Sequence, residues 1–216
     1  MSEIIKHENL TSIKTLKGRF MQLVALDIVM IPHDESWLRL YSKIVDSDGQ
    51  LDIFKIDNGA GDHLFIVFSE NGCIMKGFDH ESEFSPHQRD DFSVWEDIYD
   101  ETPKHLLDLL SDPMFEKDEV TFCIWRGNND SDWLTGTIIN PDNHDNGFGF
   151  LCGYLYVSAF DYCDWAKYYY GKELPLSVVE EIFAGTDIDE KIIKVINPDR
   201  DVAESLCEIK ELYNTS

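Results

Sequence analysis

The chain has 216 residues, 43% hydrophobic and 12% aromatic, with 42 acidic against 18 basic side chains and a formal net charge of −24. That charge repels a phosphate backbone rather than neutralising it, so nucleic acid is excluded as an expected ligand. The aromatic and apolar content excludes a disordered acidic tail, and the length suits a single domain, residues 1–216, with a sizeable core.

Residues 1–32 are expected to form an N-terminal helix, because Leu10, Ile13, Leu16, Phe20, Leu23, Val24 and Ile28 recur at helical spacing and Pro32 closes the pattern. Lys6 and His7 precede no apolar run with a cleavage site, and LVALDIVMI at 23–31 is too short to span a bilayer and contains Asp27. No membrane association is expected, and the expected compartment is the cytoplasm. Five cysteines, an odd number without a C-x-x-C pair, read as buried thiols in a reducing compartment.

Residues 37–79 read as a meander of four strands, WLRLYSKIV, LDIFKI, HLFIVF and CIMKGF, separated by DSDGQ, NGAGD and SENG turns. Residues 102–137 read as a helix plus a strand: Thr102 is placed as N-cap with Pro103 at the first helical position before KHLLDLL, and VTFCIWR rejoins the sheet. NNDSDW and INPDNHDNG are expected on the surface. Residues 158–213 read as C-terminal helices: Ser158 caps SAFDYCDWAKYYY, Pro175 opens LPLSVVEEIFA, and Asp187 with Glu190 has capping-box spacing before KIIKVI, a run open to helix or strand. Val202, Leu206, Ile209 and Tyr213 line one side of a terminal helix. The fold class expected is α+β, a largely antiparallel four- or five-stranded sheet with helices packed on one side and a helical C-terminal third.

Catalytic and ligand motifs are sparse. DSDGQLDIFKID at 46–57 opens like a calcium loop but carries Leu51 and Asp57 where that loop needs glycine and glutamate, so a hairpin turn is preferred. NGAGD at 58–62 is followed by a strand instead of the helix a phosphate cradle requires. Asp79, His80, Glu81 and His87 form the best metal constellation, with His63, His144 or Cys73 as a further ligand; surface histidines in an acidic loop are the preferred reading, and neither metal nor cofactor is assigned. Cys73, Ser82 and Ser85 lack a nucleophile signature, and catalytic residues stay unassigned.

Residues 79–101 hold nine acids against one base, Arg89, a local net of −8, so that a third of the chain's charge falls in 23 residues, interleaved with Phe84, Phe92, Trp95 and Tyr99. Aromatic anchors inside a charged rim are the composition of a docking surface, and an acidic rim suits a basic protein partner. The partner-binding residues expected are Asp79, Glu81, Asp90, Asp91, Trp95, Glu96, Asp97 and Tyr99. The competing reading is that Trp95 and Tyr99 only pack the loop onto the sheet. A different class, a small hydrolase or metal-dependent enzyme, would place its site near the FDHES strand exit, with Trp125, Arg126, Asp130 and Asp132 lining a pocket.

GDHLFIVFSENGCIMKGFDHESEFSPH, TFCIWRGNNDSDW and YYYGKELPLSVVEEIF resemble an uncharacterised bacterial domain family over roughly residues 37–197. Size and acidity resemble bacterial immunity proteins, which neutralise a basic nuclease toxin by occluding its active site. The resemblance implies a non-catalytic binding protein and carries over no catalytic residue.

Overall fold

The computed structural model describes residues 5–7, 10–46, 48–140, 142–156 and 158–214. Ser47 of the DSDGQ turn, Pro141 of the INPDNHDNG stretch and the side chains of Lys6 and His7 lie outside the described residues. The chain divides into two units, one of Met1–Thr15 and Ile44–Tyr154, the other of Leu16–Lys43 and Leu155–Ser216.

The fold is α+β. Its strands are β1 (Ile5–His7), β2 (Tyr41–Val45), β3 (Asp52–Asp57), β4 (His63–Ser69), β5 (Gly72–Phe78), β6 (Phe122–Gly127) and β7 (Trp133–Thr135), in sheet order β1-β7-β6-β5-β4-β3-β2. Every pairing with a described register is antiparallel. The four meander strands and VTFCIWR become β2 to β6. Two further strands of three residues each raise the expected four or five to seven. Three residues are too few to register as a period, so only the pairing of His7 with Trp133 and Ile5 with Thr135 reveals them. Trp133 is accordingly fully buried, its indole nitrogen donating to the Thr11 carbonyl at 2.7 Å, and not on the surface expected for NNDSDW.

Strand β5 is buried along its whole length and β4 through Phe68, which is why both read as near-continuous apolar runs. Gly77 permits this: a Cβ there would lie 2.1 Å from the ring of its cross-strand partner Phe122. On one face Ile53, Phe65, Val67, Ile74 and Trp125 pack with Leu106, Leu110 and Phe115. Those last three come from the short helix α2 (Lys104–Leu107) and the 3-10 turns after it. Thr102 is not the cap of α2; Pro103 holds that position, and Thr102 is buried beside the Cys123 thiol. The turns behave as their residues dictate. Asp46 accepts from the Gln50 and Leu51 amides, and Asn58 from those of Ala60 and Asp62.

The second unit carries helices α1 (Ile13–Met30, entering the unit at Leu16), α4 (Ala159–Tyr169), α5 (Leu176–Phe183), α6 (Glu190–Ile196) and α7 (Val202–Asn214); the five-residue α3 (Phe148–Cys152) belongs to the first. Helix α1 is buried on every side from Leu23 to Met30, so its C-terminal carbonyls need internal donors. Arg200 Nε donates to the Ile28 carbonyl at 3.0 Å, Asn197 Nδ2 to that of Val29 at 3.0 Å, and Arg39 Nη2 to that of Ile31 at 2.8 Å. Glu208 accepts from both arginines, at 2.7 Å from Arg39 and 3.0 Å from Arg200. KIIKVI is helical, and its cap is Asp189, accepting from the Ile192 amide, rather than Asp187. The buried line of α7 runs through Ser205, Ile209 and Leu212, while Leu206 and Tyr213 face outward. Ser205 tolerates burial by donating to the Asp201 carbonyl.

Candidate functional site

Residues 79–101 form a chain of tight turns without a regular period. Backbone bonds link Ser82 to Asp79, Ser85 to Ser82, Gln88 to Ser85, Phe92 to Arg89, Ile98 to Trp95 and Asp100 to Asp97. Phe92, Asp97 and Glu101 adopt left-handed backbone conformations at φ 54°, 65° and 64°, uncommon for side-chain-bearing residues. The turns are fixed from within. Phe84, Ile98 and Val120 form a small buried cluster against which Val94, Trp95 and Tyr99 pack. The Arg89 guanidinium caps the outer face of Trp95 at 4.6 Å, and the Tyr99 hydroxyl donates to the Lys117 carbonyl at 2.7 Å.

The acids face the other way. Glu81, Glu83, Asp90, Asp91, Glu96, Asp100 and Glu101 are exposed or nearly so, and Asp79 and Asp97 are half-buried. Of the expected aromatic anchors, Trp95 and Tyr99 are half-buried packing residues. The aromatic that stands out of the acidic surface is Phe92, 66% exposed and preceded by Asp90 and Asp91. The expected partner-binding residues thus share one self-packed segment, in which Glu81, Asp90, Asp91 and Glu96 are exposed and Asp79, Trp95, Asp97 and Tyr99 are half-buried.

At the start of that segment the strand exit meets the β3–β4 turn. Asp62 is 5% exposed; its Oδ1 accepts from the His80 amide at 2.9 Å and from His80 Nδ1 at 2.7 Å, and its Oδ2 from Asn58 Nδ2 at 2.7 Å. Burial pushes the Asp62 carboxyl up, but those hydrogen bonds outweigh it and hold it below the usual carboxylate range. The bond to Asp62 raises the His80 pKa, while burial raises that of Asp79. Gly147, in the left-handed region, backs onto Asp79 so closely that a Cβ would come within 2.4 Å of its Cβ. The metal constellation read from the sequence does not include Asp62. The signal that finds it is the register of the β4–β5 hairpin: once the Glu70–Asn71 turn sets His63 opposite Phe78, residue 62 arrives beside 79 and 80.

The remaining candidates separate. His87 lies against Phe78 and Phe92 with Nε2 3.5 Å from Glu119, and neither it nor Glu81 joins a group of possible metal ligands among the described residues. His63 pairs with the fully buried Lys76, whose ammonium reaches His63 Nε2 at 2.9 Å and the Phe115 and Glu116 carbonyls at 2.9 and 3.0 Å. Burial, with the Lys76 charge second, lowers the His63 pKa to about 3, and burial lowers that of Lys76 to about 8. Three acceptors saturate the ammonium, so this is a tie between sheet and loop. Cys73 is buried and its thiol pKa pushed up by burial, which disfavours the thiolate. Ser82 donates to the Asp145 carbonyl, and Ser85 accepts from the His87 amide.

Trp125 sits in the core, 1% exposed, and Arg126 and Asp130 close the β6–β7 turn on each other, with Asp132 accepting from the neighbouring Ser131 hydroxyl. Comparison with family models, curated proteins and solved structures finds no match to this chain. No helix among the described residues is long and apolar enough to cross a membrane.

Proposed function

We propose that the chain is a stoichiometric acidic binding protein whose docking surface is the 79–101 segment, and that its partner is a basic protein of the nuclease-toxin kind, neutralised by occlusion. The observation that carries this reading is the division of labour within the segment. Phe84, Trp95 and Ile98 turn inward and lock the turns, while Glu81, Glu83, Asp90, Asp91 and Glu96 project outward on the rigid frame. A pre-ordered surface loses little entropy on binding, and a dense negative field raises the rate of encounter with a cationic partner.

The test is co-expression with a basic secreted nuclease encoded beside the gene, reading cell growth and nuclease inhibition. One-to-one inhibition, abolished when Glu81, Asp90, Asp91 and Glu96 are together reversed to lysine, is expected. Full inhibition by the reversed protein, or turnover of a small substrate by the wild-type chain, would reject the reading.

A further inference from the structure

We propose that Asp62, Asp79 and His80 form a binding site for one divalent transition ion, Zn²⁺ or Mn²⁺. One carboxylate oxygen of each aspartate and one ring nitrogen of His80 all lie within 4.8 Å of one another. Ligand bonds of about 2.0–2.2 Å to zinc place such atoms roughly 3.4 Å from each other, so the site needs only small shifts, with Asp62 Oδ1 and His80 Nδ1 parting from their present 2.7 Å. The donor set of one imidazole and two carboxylates suits zinc or manganese better than a soft thiophilic ion.

The frame is built before the ion arrives. Asp62 is almost wholly buried and is held from behind by Asn58 Nδ2 at 2.7 Å and the His80 amide at 2.9 Å. Those donors would remain as outer partners that orient the carboxylate. Asp79 is hemmed by the backbone at Gly147 and accepts from the Glu81 amide at 3.0 Å. Binding exchanges the Nδ1 proton, now shared with Asp62 at 2.7 Å, for the cation, and the proton leaves to solvent. The two carboxylates then neutralise the two positive charges. His80 and Asp79 are only half-buried, which gives the ion an entry path and leaves coordination positions open to water.

The other group of three on the same unit, His63, Glu116 and Glu119, lacks these properties. Its imidazole Nε2 is engaged by the Lys76 ammonium at 2.9 Å, and a second cation there would meet a fixed positive charge.

The test is calorimetric titration of Zn²⁺ and of Mn²⁺ into the full chain after chelator treatment, in about 0.15 M salt to screen the exposed carboxylates. One ion per chain is expected, with affinity lowered at least about tenfold by Asp79→Asn and unchanged by Glu81→Gln. A second measurement needs no variant: substoichiometric Mn²⁺ should broaden the His80 ring resonances before those of His33 and His105. The absence of saturable binding by either ion, equal effects of the two substitutions, or even broadening across the three histidines would overturn the assignment.

Discussion

The indole of Trp95 lies flat on the phenyl ring of Phe84, centroids 4.1 Å apart and planes 18° from parallel. Phe84 is 2% exposed, and Arg89 covers the other side of the indole, so Trp95 is the middle of a three-layer stack. Truncation to alanine removes the platform for Arg89 and uncovers Phe84. Trp95→Ala should therefore lower folding stability by about 2–3 kcal/mol, somewhat less than for a fully buried tryptophan. Urea denaturation checks the figure. A loss near zero would mean that the stack does not hold the turns together, and the rigid frame invoked for the acidic surface would go with it.

Reversal of Glu81, Asp90, Asp91 and Glu96 to lysine should leave the melting temperature close to that of the wild type or slightly higher, because exposed carboxylates contribute little to folding and the chain carries excess negative charge. Association with a basic partner should slow, and its dependence on ionic strength should flatten. Stopped-flow association at two salt concentrations together with a thermal melt separates the effects. A collapse of the melting temperature would make these side chains structural.

What was legible in the sequence follows from periodicity. Strands β3 to β6 showed because LDIFKI, HLFIVF, CIMKGF and VTFCIWR are β-branched and aromatic runs bounded by glycine, asparagine and aspartate. Residues 79–101 repeat with no period, so nothing in the order of letters stated that Trp95 would turn in and Phe92 out; that choice belongs to left-handed turns at Phe92 and Asp97. Asp62 and His80 are eighteen positions apart and meet only through strand register. Lys76 is the one charged residue in CIMKGF, and the carbonyls that satisfy it come from a loop about forty residues away.

That lysine makes a test of its own. Lys76→Met keeps much of the side-chain volume but leaves the Phe115 and Glu116 carbonyls and His63 Nε2 without their donor in a buried setting. The loss should be at least about 2 kcal/mol, the cost of orphaned buried acceptors outweighing relief from burying a charge. Chemical denaturation is the measurement. A gain in stability would show that the desolvated ammonium costs more than its three bonds return.

Asp27 predicts a pH dependence with a definite sign. It is fully buried in the apolar half of α1, where its carboxylate accepts from the Tyr41 amide at 2.8 Å and from the Tyr170 hydroxyl. Burial raises its pKa to about 7, only partly countered by those two bonds and by the Arg39 charge. In the unfolded chain the same carboxyl titrates near about 3.9. Between roughly pH 4 and pH 7 the folded state therefore holds a proton that the unfolded state has released, and the contribution of this group to stability declines as pH rises through that window. The carboxamide of the Asp27→Asn variant has no such proton to lose. The stability of that variant relative to wild type should grow from pH 5 to pH 8, as measured by urea midpoints at both values. Parallel pH profiles for the two proteins would mean that Asp27 keeps an ordinary pKa despite its burial, and that Tyr41 and Tyr170 solvate the anion as well as water does.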